Sequence, residues 1–297
     1  MIMKKYVLTI VALVLVAAGA QSQGFKETLT HAERVCIRDL YGNIEVVAGA
    51  GNEIVVEKIG QARLPKDARK AKPSAYNDDN TGQGINFSFA NRQVVLSPSE
   101  IESQFADYRI TVPAKVDLSL TNETLYKKIA VNNYQNKEIF NRVVVEGVNG
   151  EIVVDVFSSD VYLNEVTGPL AIAIFYGNCK VDFAQLNQEL PSVIDIYLGN
   201  IDLILPEKTP FFAQLEAKGG GIFSEFDIDL KEKVVPLSVE ERFFYGVDGK
   251  LGEKFFHDDT PNTGKEYEAS KVVGLVNGSG VSVCAQVHVG YVNLKKK

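Results

Sequence analysis

"GEIVVDVFSSDVYLNEVTGPLAIAIFYGNCKVDF", residues 150–183, decides how this chain folds. A small residue followed by x-apolar-x-apolar begins at Gly150, Ser159, Gly168 and Gly177, four starts at a constant spacing of nine. Alternation with a period of two puts successive side chains on opposite faces of a strand, and β-branched residues fill the apolar positions. One such strand buries too little to stand alone, whereas stacked copies turn the inward residues into a continuous apolar column. Two units make a coil of about eighteen residues, the repeat a parallel β-solenoid would use. The Gly, often with Asn, is expected to supply the positive φ of a tight corner.

The same signature recurs outward at Gly199-Asn-Ile-Asp-Leu and Gly220-Gly-Ile-Phe-Ser, and near the ends at Gly42-Asn-Ile-Glu-Val and Gly290-Tyr-Val-Asn-Leu. The expectation is an all-β protein, a parallel β-solenoid with short irregular insertions. The spacing also suits an antiparallel meander closed into a β-sandwich, and strand pairing separates the two: residues 150 and 168 lie one above the other only in a solenoid. Helical spacing is scarce, with one short turn of helix at best between Pro98 and Asp107. In this frame Cys179 shares the inward position of Ile44, Ile152, Val161, Leu170, Ile201 and Val292, so it reads as a small core hydrophobe.

Two regions break the pattern. Residues 61–84 are polar and rich in Pro and Gly, a long loop between strands. Residues 231–270 interrupt the coils, and such an insertion either caps an open end or makes a contact. Its aromatic groups, Phe243-Phe244-Tyr245 and Phe255-Phe256, read as capping apolar groups before they read as a sticky face.

Lys4-Lys5, an apolar run from Tyr6 to Ala18 and the small-x-small triplet Ala18-Gly19-Ala20 have the form of a secretory signal peptide over residues 1–23. The run is too short for a spanning helix, and no second stretch of spanning length follows. Residues 24–297 are then one exported domain, its formal charge falling from −7 to −9 as Lys4 and Lys5 are lost. That acidity argues against nucleic acid as a partner, and the Lys295-Lys296-Lys297 tail reads as a solvated end. Three cysteines are too few for a disulfide scaffold.

Candidate chemistry is thin. Cys284 and His288 sit on the polar face of one strand, roughly 13 Å apart, too far to share a metal. Cys36 also faces away from Val35 and Ile37, so a Cys36–Cys284 disulfide between terminal segments is one possibility. His257-Asp258-Asp259 lacks a nucleophile elbow to partner it. Asp155, Asp182 and Asp202 fall on strands whose rungs would be about 4.8 Å apart, close enough to pair for calcium or sugar chemistry, against the plainer reading that outward acids keep the stack soluble. No nucleotide loop occurs. No catalytic residue, metal site or cofactor is expected, and no ligand-binding residue is assigned.

"LYGNIEVVAGAGNEIVVEKI", "YRITVPAKVDLSL", the Gly-Asn-x-acidic coils and the closing "VNGSGVSVCAQVHVGYVNLKKK" together resemble the bacterial putative-adhesin family of exported repeat domains, similar in style to head-GIN auto-transporter adhesins. The resemblance implies a right-handed β-solenoid on the outside of a bacterial cell, periplasmic or at the surface, with no catalytic residues to carry over. The expected function is that of a non-enzymatic envelope adhesin or interaction module for an extended protein or glycan. A polysaccharide-binding or polysaccharide-cleaving β-helix is the alternative, and a structural envelope-stress component assembling edge to edge is a third reading.

Overall fold

The computed structural model describes residues 24–61, 63–64, 77–122, 141–231, 265–267 and 271–297; the leader at 1–23 and most of the 231–270 insertion lie outside the described residues. In chain order the first elements are β1 (Phe25–Thr28), β2 (Arg34–Arg38), β3 (Ile44–Gly49), β4 (Glu53–Lys58), β5 (Ile85–Ala90), β6 (Gln93–Pro98), the short helix α1 (Ile101–Gln104), β7 (Tyr108–Pro113) and β8 (Asp117–Thr121). The middle holds β9 (Asn141–Glu146), β10 (Ile152–Val166), β11 (Leu170–Tyr176), β12 (Cys179–Phe183), β13 (Ser192–Leu198) and β14 (Ile201–Leu205). There follow β15 (Phe211–Ala217), β16 (Ile222–Ser224), β17 (Asp229–Leu230), β18 (Lys265–Tyr267), β19 (Lys271–Val276), β20 (Ser282–Val289) and β21 (Val292–Lys296). The protein is all-β, and its helix falls inside the window expected for one.

Pairing follows the nine-residue signature. Ile152 lies beside Leu170, and Val161 beside Cys179, both in parallel register and both eighteen residues apart. The next step lengthens to twenty-two, with Ile172 beside Ile194 and Cys179 beside Ile201. β10 carries one whole coil: its first half pairs in one sheet and its second half in the other. The two alternatives left by the sequence therefore meet in one architecture. Two sheets share a core, as in a sandwich, but neighbours within each central sheet are parallel and come from different coils, as in a solenoid.

Sheet A runs β1–β4–β7–β3–β9–β10–β12–β14–β21–β16–β18. Sheet B runs β5–β6–β2–β8–β10–β11–β13–β20–β15–β19–β17. Antiparallel strands close both ends. The order of coils departs from chain order at both ends. The coil β2–β3 sits between β6–β7 and β8–β9, and the coil β20–β21 sits between β13–β14 and β15–β16. The first and last coils of the described chain are thus inner rungs.

The core is one cluster extending from Leu29 to Leu294. Tyr108, Ile44, Val143, Val161, Cys179, Ile201, Val292 and Ile222 follow one another through sheet A in register, each at most 1% exposed. Each aliphatic member contributes about 1.5–3 kcal/mol by leaving water. Cys179 is one link of this hydrocarbon column. Burial, with Asp202 and Asp160 nearby, pushes its thiol far above the ordinary range, which leaves it without thiolate reactivity.

Glycine at the corners has a reason beyond the expected one. Gly177, Gly199 and Gly290 do have φ of 140°, 152° and 142°. Gly42, Gly150 and Gly168 do not take positive φ, yet a Cβ on Gly168 would lie 1.9 Å from the carbonyl oxygen of Gly150. Coil-to-coil contact, not conformation alone, excludes a side chain there. The lysine tail also departs from expectation. β21 is an inner strand of sheet A, and Lys295, Lys296 and Lys297 pair with Asp202, Glu207 and Asp182 at 3.1, 3.4 and 2.8 Å.

Candidate interaction face

The outer surfaces of the two sheets can be read row by row, because in parallel register the same outward position recurs about every 4.8 Å along the stack. On sheet A the rows are occupied by paired polar groups. Arg109 donates twice to Glu45 Oε2, at 2.9 and 2.7 Å, and the Arg142 guanidinium lies 4.6 Å from the centre of the Tyr162 ring. Asp202 is 4% exposed, accepts from Asn293 Nδ2 at 2.8 Å and faces Lys295. Where the coils enter this sheet, an asparagine and aspartate ladder runs along the corner. Asn178 N–H donates to Asp160 Oδ1 at 2.8 Å, Asn200 N–H to Asn178 Oδ1 at 2.9 Å, and Tyr291 N–H to Asn200 Oδ1 at 3.0 Å. Each side chain satisfies the backbone of the next coil, which explains why Asn follows Gly at positions 43, 178 and 200.

Sheet B is different. One outward row reads Val153, Ala171, Val193 and Cys284, and the next Asp155, Ala173, Asp195 and Gln286. Beside them a column of rings crosses four coils. Phe157 stacks on Phe175 at 4.9 Å with planes 16° apart, Phe175 on Tyr197 at 4.6 Å and 2°, and Tyr197 meets His288 at 5.5 Å and 34°. Tyr176 packs edge-on against Phe157 and Phe175. Val193 is 46% exposed and Tyr197 42%, so an apolar strip with aromatic edges faces outward. Stacking in this way uses up the ring faces and presents their edges.

The sequence held a signal for this column that pattern reading by strands missed. Phe157, Phe175, Tyr197 and His288 each stand two residues before a corner, at Ser159, Gly177, Gly199 and Gly290.

The other candidates are dispersed. Asp155 lies on the outside of sheet B, while Asp182 and Asp202 lie in sheet A out of step, with Lys180 beside Asp202 and Ile204 beside Asp182. They make no acid pair. Cys36 and Cys284 are free thiols separated by five strand-to-strand steps in sheet B, about 24 Å, so the suggested disulfide does not form. Cys36 is 4% exposed and accepts from Gln93 Nε2 at 2.8 Å. His288 lies 3.0 Å from Gln286 Nε2 and 3.7 Å from Asp195 Oδ1, and Cys284 stays apart two rows away. Among the described residues no group of three or more potential metal ligands gathers, and no helix is long and apolar enough to cross a membrane. His257-Asp258-Asp259, Phe243-Phe244-Tyr245 and Phe255-Phe256 lie outside the described residues.

No family model and no curated relative matches the chain. Two solved structures show a remote likeness. One is a "putative cell adhesion protein" from Clostridium sporogenes, at 10% identity over 92% of this chain and 100% of that one, with a TM-score of 0.39. The other is a "putative adhesin" from Bacteroides fragilis, at 8% identity over 92% and 96% of the two chains, with a TM-score of 0.31. At those identities and scores no function passes from them to this chain.

Proposed function

We propose that the protein is an exported, non-enzymatic interaction module of a bacterial envelope, and that it engages an extended partner along the outer face of sheet B. The observation that carries this reading is the contrast between the two faces. Sheet A pairs Arg109, Lys295 and Lys297 with carboxylates of neighbouring coils, whereas sheet B leaves Val193 and Tyr197 exposed beside the ring column. Exposed apolar surface on a repeat scaffold marks contact with a partner, and a long regular face suits a long ligand. Because ring faces are spent on one another, the edges favour aliphatic and peptide groups over the flat faces of sugars.

Mature protein carrying Val193→Glu and Tyr197→Glu is the direct test. Both side chains lie outside the core, so melting should stay within a few degrees of the parent. Retention on intact envelope surfaces and on panels of immobilised extended polypeptides and polysaccharides should fall at least tenfold. Equal retention by parent and variant would remove sheet B from the function. Release of soluble sugar from any polysaccharide on the panel would show an enzyme and end the non-enzymatic reading.

A further inference from the structure

Among the described residues, four strands end the sheets: β1 and β18 in sheet A, β5 and β17 in sheet B. An end strand exposes unpaired N–H and C=O groups and invites another strand, and proteins blunt such edges with charge or brevity. β1 carries Lys26 and Glu27, β17 has two residues with Asp229 among them, and β18 has three with Lys265 and Glu266. β5 has neither defence. Its sequence INFSFA is six residues long, uncharged and rich in apolar side chains, and Phe89 is 47% exposed.

What covers β5 is a side chain imitating a strand. Asn80 Oδ1 accepts the Phe87 N–H at 2.7 Å, and Asn80 Nδ2 donates to the Phe87 carbonyl at 2.8 Å. One carboxamide thus makes both bonds that a neighbouring peptide unit would make. Asn86 Nδ2 donates to the Asp78 carbonyl at 2.7 Å and Thr81 Oγ1 lies 2.8 Å from the Ile85 carbonyl oxygen, so the segment 78–81 lies along the strand. Asp79 holds that segment in shape by accepting from Thr81 N and Oγ1, Gly82 N and Gly84 N, all at 2.8–2.9 Å.

We propose that the Asn80 segment is a lock on a self-associating edge, and that opening it lets two copies of this chain join β5 to β5 in antiparallel register. A second copy fits because β5 meets itself about a two-fold axis without like charges, on a chain whose full-length formal charge is −7. Phe89, beyond the reach of the guard, adds exposed apolar area to that contact.

Asn80→Ala in the otherwise unaltered mature protein tests the lock, read by light scattering with sedimentation velocity. The expected result is a molar mass twice that of the parent, with an unchanged melting profile. Adding Ser88→Lys, a charge on the exposed face of β5, should return the mass to the parent value. A folded Asn80→Ala protein that keeps the parent mass overturns the proposal, as does a doubled mass that survives Ser88→Lys. Growth beyond two copies also overturns it, since a two-fold edge contact closes. If Asn80→Ala does not fold, Asn80→Asp removes the donor to Phe87 while keeping an acceptor, and the same mass criterion applies.

Discussion

On the outside of sheet A, Arg109 meets Glu45, Lys295 meets Asp202 and Lys297 meets Asp182, whereas sheet B, on many of the same coils, presents Phe175, Tyr197, Ala173 and Val193. Parallel register forces every outward residue onto its counterpart one coil away, so a row must either alternate in sign or consist of groups that tolerate their own kind. Sheet A takes the first course, placing Lys180 beside Asp202 and Glu45 beside Arg109. Sheet B takes the second from β10 to β20, because like rings and small side chains stack favourably where like charges would repel, while Arg34 beside Asp117 on β2 and β8 keeps to the first. One face is finished in itself. The other is left with contact area to give.

The largest effect is expected where the two faces join. A Cβ on Gly199 would lie 1.8 Å from the carbonyl oxygen of Gly177, so Gly199→Ala must push neighbouring coils apart and strip both sheets of register. We expect a loss of about 4 kcal/mol or more, beyond the common range for single substitutions. Denaturant unfolding measures it, and a variant within about 1 kcal/mol of the parent would mean the coils do not touch at that corner.

A sharper contrast comes from two aspartates of one coil. Asp202→Ala on sheet A removes the partner of Lys295, whose side chain is 17% exposed, and should cost about 3 kcal/mol by leaving a shielded charge unpaired. Asp195→Ala on sheet B removes a side chain that is 55% exposed, and should change stability by no more than about 0.5 kcal/mol. Equal losses in the two variants would erase the distinction between the faces.

The smallest effect belongs to the end of sheet B. Burial alone would raise the Asp79 carboxyl, but the N–H groups of Thr81, Gly84 and Gly82 and the Thr81 hydroxyl outweigh it and hold it below the usual value. Asp79 therefore adds stability above the unfolded-state pKa of about 3.9, and this is lost as pH falls through the lower folded value. Asp79→Asn should melt slightly below the parent at neutral pH, with the gap narrowing as the solution is acidified. A gap that widens in acid would reverse the assignment.

Much of the interior was legible from residues 150–183. Period-two alternation and nine-residue starts place Val161, Cys179 and Ile201 in one column because both rules act locally on the chain. The order of the coils was not legible, since every coil carries the same pattern and nothing within β2 says that β6 and β8 flank it. The Gly-Asn pairs were visible, but their reason was split: the glycine makes room for the neighbouring coil and the asparagine binds that coil's backbone. The ring column escaped notice because its members lie far apart in the chain, His288 being ninety-one residues beyond Tyr197. Strand-face parity put Cys36 and Cys284 on the same side of sheet B but carried no information on the five strand steps that separate them.

The placement of β20–β21 bears on how the molecule comes into being. A rung that arrives after β15–β16 yet lies inside it cannot be laid down by growth from one end; the two flanking coils must receive it between them. A chain that folds from its N-terminal end as it is made would therefore lack its keystone until residue 296 emerged. Losing that segment would open the interior of the finished molecule, where in an ordinary end-on array it would only shorten one tip.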